Sequence, residues 1–401
     1  MKKFTLSIVA LSCASLLTTN VVAQSSNLTL EEIVVTAQKR EQTLSDIPSA
    51  VSAIPAENVR DYLSAGENIR ALAGRVPSLQ IESSNGRQSP RFYIRGLGNY
   101  DFDVNATQPV SLIYDEVALE NSVLKSIPLF DIAQVEVLKG PQGTLFGRST
   151  TAGVIKVDSV KPSQEESGYV KLGYGSRETL SAEGAFGGSL TETVSMRGSF
   201  KYLDRGKWID NSVNGKGDDF GSFDEFAYRF QVLAEPNENL SALFKVHGFK
   251  QDGDQPQIFY ANAFTPGVEG LRPGFDVEQV SQDFLGSGFN LDHFGGSTKV
   301  EYNFTDSLKL TSITAYDSLD SFSVADIDGG IQGGPEAIGQ LGGQAFFSVA
   351  SGDGLSDHKQ FTQELRLSAD TDSVFYQIGL FFLDEDITVD SVDFANSGDL
   401  I

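Results

Sequence analysis

The chain has 401 residues, a formal net charge of −24, 40 glycines, 28 phenylalanines, 12 tyrosines and a single cysteine. That acidity excludes nucleic acid as a partner, since nucleic acid requires a basic surface. The aromatic, glycine-rich and moderately polar composition suits a mainly β protein and not a helical bundle.

Lys2 and Lys3 precede an apolar run from Phe4 to Leu17, and Val21-Val22-Ala23 supplies a small-residue cleavage pattern. Residues 1–23 therefore read as a secretory signal peptide cut after Ala23. Cys13 lies inside this leader, so the mature chain has neither disulfide nor thiol chemistry. A lipoprotein reading at Cys13 fails, because it would cut the apolar segment short. No later apolar run reaches about 18 residues, so no transmembrane helix is expected. A membrane β-barrel stays open, because each of its strands needs only about ten alternating residues.

Residues 24–45 read as a linker carrying a short β-prone run, Ile33, Val34, Val35, Thr36 and Ala37, between charged residues. Such a run is either an ordinary strand or a segment left free to pair with another protein's sheet edge.

Residues 46–160 read as a small α+β domain. Ile47 to Ile54, Val76 to Ile81, Arg91 to Gly98 and Val110 to Val117 are extended stretches. Ser64 and Glu67 form a capping-box pattern that predicts a short helix carrying Ile69 and Leu72 and stopping near Gly74. The domain closes on Val135-Glu-Val-Leu-Lys-Gly-Pro-Gln-Gly-Thr-Leu-Phe-Gly-Arg148. Val135 and Val137 share one strand face and Glu136 and Leu138 the other. Gly140-Pro141 then turns the chain, Gly143 and Gly147 complete a glycine corner, and Val154 to Val157 resumes the alternation. A phosphate-binding loop is excluded, because Gly147 is followed by Arg148 and the glycine spacing fails. Asn99, Tyr100, Asp101, Phe102, Asp103 and Asn105 form a polar loop between strands, which reads equally as a ligand contact or as a plain solvated turn. A calcium loop counted from Asp101 would place Ala106 and Leu112 where glycine and glutamate are required, so it is rejected.

From residue 168 to residue 401 the period is two. Val194, Met196, Gly198, Phe200 and Tyr202 share one face, and Ser195, Arg197, Ser199 and Lys201 the other. Phe226, Tyr228 and Phe230 alternate with Arg229 and Gln231, and Phe244 and Val246 alternate with Lys245 and His247. Short turns at 189–191, 236–238, 305–307 and 370–373 alternate with long, Gly-, Asp- and Ser-rich connections expected to act as mobile lids. An aromatic apolar face with short turns at one end and long loops at the other has the pattern of a transmembrane barrel. About nine strands of roughly ten residues are expected.

The stretch from Glu136 to Val157 resembles the end of the plug domain of TonB-dependent outer-membrane receptors. Ile47-Pro48, Phe92 to Gly96 and Ile113 to Val117 occur in that plug's order. The resemblance implies a mainly β fold: an α+β plug followed by the N-terminal part of an antiparallel transmembrane barrel, about nine of about 22 strands. It implies that Ile33 to Ala37 are the TonB box, that Arg95 and Arg148 tie the plug to acidic wall residues, and that the loop from Asn99 to Asn105 is an outward apex contacting ligand. The function implied is energy-coupled uptake of a scarce ligand across the outer membrane of a Gram-negative bacterium. Iron chelates such as ferric siderophores come first, with cobalamin or carbohydrate behind. The partners implied are TonB with its inner-membrane complex, outer-membrane lipid and a small extracellular ligand. A passive porin or adhesin barrel is the alternative. An enzyme is not expected: His247, His293 and His358 are the only histidines, none in a metal-ligand spacing, and no Gly-x-Ser-x-Gly elbow exists. No metal and no cofactor are expected.

Overall fold

The computed structural model describes residues 33–396, except for residues 65, 84, 102, 212–219, 328–347 and 372 and several positions between 255 and 285. The expected signal peptide lies outside the described residues. No helix among them is long and apolar enough to cross a membrane.

The chain begins with a two-stranded hairpin of β1 (Val34–Val35) and β2 (Gln42–Thr43). The plug follows: β3 (Ala50–Pro55), helix α1 (Ala56–Tyr62), β4 (Leu79–Glu82), β5 (Arg91–Ile94), β6 (Val110–Tyr114), β7 (Val117–Leu119), β8 (Ile132–Lys139), the single-turn helix α2 (Gly143–Phe146) and β9 (Gly153–Ser159). Five of these strands form a mixed sheet in the order β3-β8-β9-β6-β7, while β4 and β5 pair separately. The alternation expected in β8 holds. Val135 and Val137 enter one core with Leu112, Ile155 and Val157, and Leu138 enters a second with Val35, Ala37 and Val154.

Two details of the plug differ from expectation. The capping group of the Ile69–Leu72 turn is Asn68, whose side chain accepts from Arg70 N at 3.0 Å. Ser64 instead donates its hydroxyl back to Asp61 O, at the end of α1. Of the glycine corner, Gly140 and Gly147 have left-handed backbones (φ +111° and +79°), as a sharp turn needs. Gly143 starts α2 with ordinary space around it, whereas Gly153, at φ +156°, would place a Cβ 2.3 Å from Leu138 O.

The wall is one antiparallel sheet of β10 (Ser167–Tyr174), β11 (Leu180–Thr191), β12 (Val194–Arg205), β14 (Phe223–Asn237), β15 (Leu240–Gly253), β17 (Gly288–Thr305), β18 (Leu308–Asp326), β19 (Ser348–Asp370) and β20 (Phe375–Asp386), in that order. A further strand, β21 (Val389–Asn396), pairs with the first part of β19 as β20 pairs with the last part, so the two follow one another along the same neighbour. The expected nine wall strands are present. All but β10, which has 8 residues, are longer than the roughly ten residues a membrane requires: β18 has 19 residues and β19 has 23. Polar positions such as Ser318 and Asp320 on one face and Ser321 and Ser323 on the other keep the period of two and continue the ladder, so much of what read as loop is strand.

The two wall faces separate as the alternation dictates. Phe200, Phe226, Phe230, Phe244, Phe294, Phe361 and Phe382 face outward, while Arg197, Lys201, Arg229, Lys245 and His247 are buried against the plug. The plug core runs into the wall through Ala227, Phe249, Leu291, Ile313 and Ala315. Part of the long-loop end is packed and not a loose lid. β13 (Asp210–Asn211) pairs in parallel with β16 (Gln279–Val280), and Ile209, Phe220 and Val280 cluster with Trp208, Ile258 and Tyr260 around them.

Candidate functional site: the plug, its wall contacts and its two ends

The joint between plug and wall is electrostatic, and its main polarity is opposite to the expected one. β6 and β7 are joined by a two-residue turn, Asp115-Glu116, with φ +48° and +68°. Left-handed conformation at both central residues is the hairpin geometry that matches strand twist. The turn aims two carboxylates at the wall. Asp115 accepts from Lys245 Nζ at 3.0 Å, and Glu116 pairs with Lys299 and with Arg366, the latter at 3.2 Å. Asp131, also left-handed at φ +50°, takes two bonds from Arg197 (Nε–Oδ2 2.7 Å, Nη2–Oδ1 2.6 Å) and a longer contact from Arg229. Burial works against the Asp115 and Glu116 carboxylates. The facing cations outweigh it and hold both groups well below the usual carboxylate range.

The expected polarity, basic plug against acidic wall, survives in fewer places. Arg148 meets the wall residue Glu385 at 2.6 Å, besides the plug's own Glu120 at 3.4 Å, and Arg87 meets Glu225 of the wall at 3.3 Å. Arg95 does not fulfil its expected role. It sits left-handed (φ +54°) and exposed in the turn after β5, and among the described residues it makes no ion pair with the wall. Its backbone N–H donates to Ser78 O at 2.9 Å, so its place is a turn inside the plug.

The run from Ile33 to Ala37 lies against the plug. Ile33 and Val34 are exposed, while Val35 and Ala37 are buried among Ile47, Leu138 and Phe146. Thr36 donates its backbone N–H to Glu136 Oε1 at 2.9 Å and receives Lys156 Nζ on its hydroxyl at 2.5 Å. Lys39, next along, pairs with wall residue Glu364 at 2.6 Å. The segment borders a cleft of about 810 Å³ whose other lining includes Asp306, Ser307, Asp370 and Phe375. Those residues belong to the short turns, so the segment sits at the short-turn end.

The Asn99–Asn105 loop is tied to the opposite end. Asn121 Nδ2 holds the loop to the plug at Val104 O (3.0 Å), Asp101 and Asp103 share a small cavity with Asn85 and Ser89, and Gln88 between these two donates from Nε2 to Asn290 O at the long-loop start of β17. The loop is built by three successive side-chain bonds. Asn99 Oδ1 accepts from Asp101 N, Asp101 Oδ1 from Asp103 N, and Asp103 Oδ1 from Asn105 N, at 2.8–3.0 Å. Several oxygens expected to meet ligand therefore already hold the loop. Tyr100 is 73% exposed, with its ring 5.1 Å from that of Tyr93. Phe102 lies outside the described residues. The adjoining cavity is only about 20 Å³, so these residues do not enclose a ligand by themselves.

One cluster escaped the sequence reading. His247, His293 and Asp317, spread over β15, β17 and β18, converge with their donor atoms within 4.8 Å of one another, all three buried. Linear spacing hides this, whereas strand register shows it.

A plug packed on the inner face of an antiparallel wall whose outer face is aromatic is the arrangement of part of an outer-membrane plugged barrel. Comparison with known proteins agrees. Residues 43–154 match the model of the TonB-dependent receptor plug domain. The chain is 31% identical over 176 residues to the vitamin B12 transporter BtuB of Vibrio vulnificus, covering 42% of this chain and 27% of that protein. It is 28% identical over 203 residues to the pesticin receptor of Yersinia pestis, covering 49% and 29%. The ferripyoverdine receptor of Pseudomonas aeruginosa matches at 24% over 205 residues, covering 49% and 24%. Among solved structures, the ferric yersiniabactin uptake receptor FyuA from Yersinia pestis superposes with a TM-score of 0.69 at 19% identity, covering 86% of this chain and 50% of that one. The ferric preacinetobactin receptor BauA from Acinetobacter baumannii gives 0.67 at 14%, covering 90% and 50%. At those identities the structural likeness speaks for the fold. The chain thus carries the plug of the TonB-dependent receptors and part of their barrel, and it is an outer-membrane protein of a Gram-negative bacterium. It spans about a quarter to a third of these curated relatives.

Proposed function

We propose that the chain belongs to a receptor that takes up a scarce ligand by energy-coupled transport, with an iron chelate as the leading ligand class. The carrying observation is the position of the Ile33–Ala37 run. It is a β-prone segment with an exposed edge, docked on the plug at the short-turn end, where a periplasmic partner would reach it. Pairing of Ile33 to Ala37 with a strand of TonB would supply backbone hydrogen bonds, with alternate side chains setting the register. Pulling on that segment would act on Glu136 and Lys156 of the plug sheet through Thr36. Arg148 would hold the plug to the wall through Glu385, while the Asn99–Asn105 loop and the long outer loops would meet the ligand from outside. The names of the relatives favour ferric chelates, with cobalamin as the other class among them.

Ligand class can be read from Trp208, the chain's one tryptophan, which packs beside the outer Ile209–Phe220–Val280 cluster. The purified receptor is titrated with ferric hydroxamate, ferric catecholate, cobalamin and maltodextrin probes while tryptophan emission is followed. Saturable micromolar or tighter quenching by a ferric chelate is expected. Saturation by cobalamin or the sugar, with none by the ferric probes, would overturn the iron reading.

A further inference from the structure

We propose that His247, His293 and Asp317 form a binding site for a divalent transition metal of the zinc class, built into the plug-facing side of the wall. His293 Nε2 lies 3.0 Å and His247 Nε2 lies 3.4 Å from the same carboxylate oxygen, Asp317 Oδ1. Ligand atoms bonded to one ion at about 2.1 Å stand about 3.0 Å apart in an octahedral shell and about 3.4 Å apart in a tetrahedral one. The spacing is therefore that of neighbouring ligands as well as that of hydrogen bonds.

The site depends on register. His247 pairs with Gly295, and Gly295 pairs with Asp317, across three adjacent strands. A Cβ on Gly295 would stand 2.3 Å from Asp317 Oδ1 and 2.8 Å from His247 Cε1. Only a glycine lets the two side chains lean together over the strand between them. His293 is two residues along on the same face of β17, with its ring 4.8 Å from that of Phe249 and 5.2 Å from that of His247. All three side chains are buried, and both Nδ1 atoms lack a hydrogen-bond partner. The Asp317 carboxylate only accepts, so without an ion each Nε2 turns its proton toward Oδ1; a bound ion would displace those protons, and each ring would then carry its proton on the unpartnered Nδ1.

Charge allows the cation. Asp317 brings a negative charge into the site itself, the nearby ammonium of Lys245 is matched by Asp115, and the guanidinium of Arg229 shares Asp131 with Arg197. Two imidazoles and one carboxylate suit zinc, cobalt, nickel or ferrous iron and not calcium or magnesium, which require oxygen shells. His247 also borders a cavity of about 10 Å³ beside Tyr114 and Phe249, room for about one water as a further ligand. The ion would fasten β15, β17 and β18 together where the plug's Tyr114 ring packs on His247.

The test uses the receptor purified in detergent without a histidine tag, stripped with chelator and reloaded with Zn²⁺ or Co²⁺. One metal per chain is expected, with visible ligand-field bands for Co²⁺ and a higher Tm when loaded. Asp317→Asn and His293→Gln should each weaken binding at least tenfold, while His358→Gln should leave it unchanged. Heat-modifiable gel mobility verifies that each variant is folded. No saturable binding by the unaltered receptor overturns the proposal, as does binding that survives in folded Asp317→Asn and His293→Gln. If neither variant folds, the stoichiometry and Co²⁺ spectrum of the unaltered receptor decide alone.

Discussion

Asp131 of the plug and Arg197 of the wall are joined by two parallel bonds of 2.7 and 2.6 Å, with both side chains buried. Arg229 reaches the same carboxylate from the next wall strand, at 3.4 Å. Two guanidiniums thus depend on one carboxylate held on a left-handed backbone.

Replacing Asp131 by Asn would leave both cations short of a partner out of bulk water. Loss of one member of a buried pair costs about 3–5 kcal/mol. Chemical denaturation of the receptor should show a plug transition moved by that amount. Asp131→Leu with Arg197→Met should recover much of it, because an apolar pair leaves only Arg229 to be solvated.

Gly143 of the glycine corner and Gly153 at the start of β9 allow a paired comparison. Gly153→Ala forces a Cβ against Leu138 O and Ile94 Cδ1 at φ +156°, and should cost about 3 kcal/mol from strain and overpacking together. Gly143→Ala, in α2 with its nearest contact at 3.8 Å, should be neutral or stabilise by about 0.5–1 kcal/mol. Thermal melting of both variants checks the order.

Docking of the N-terminal run protects the trypsin sites at Lys39 and Arg40. Lys39 is held by Glu364 and Arg40 lies over the Phe375 ring, 4.3 Å from its centroid. Ala37→Asp would bury a carboxylate among Ile47, Leu138 and Phe146 and should expel the segment. Limited trypsinolysis of the receptor should then cut after residues 39 and 40 at least tenfold faster than in the unaltered protein.

Lys125 sets a pH dependence. It is fully buried with its Nζ donating to Val110 O at 3.1 Å, and burial pushes its ammonium down to about 8 against the opposing pull of Glu120 and Glu385. The unfolded chain keeps that proton up to its ordinary value of 10.5. Between about pH 8 and 10.5 the unfolded state therefore binds more protons, so this group's contribution to stability rises with pH, by at most about 1.4 kcal/mol per unit. Relative to Lys125→Met, the unaltered receptor should gain Tm across that window.

The alternation of β8, β12, β14 and β15 was legible because a period of two needs only local residues, and burial then fixes which face turns inward. The plug's wall partners were not. Asp115, Glu116 and Asp131 owe their aim to left-handed backbones at non-glycine residues, which composition does not announce. Arg95 and Arg148 have the same charge, yet only Arg148 reaches a carboxylate of the wall. The α1 helix was missed because Pro55 and the residues after it gave no capping signal, and no side-chain cap bond exists there. The His–His–Asp cluster was hidden by a register shift. Counting back from the short Thr305–Leu308 turn sets Asp317 opposite Gly296, and only the register shift between Asn303 and Thr305 moves it opposite Gly295, two residues from His293 on the same face.

Energy coupling through the N-terminal run is the central claim, and deletion of residues 33–37 in the intact receptor tests it most directly. Uptake of labelled ferric chelate by iron-starved cells is measured against surface binding of the same chelate. Binding retained with uptake abolished is the result this account predicts. Uptake undiminished by the deletion would contradict it and leave a passive barrel in its place.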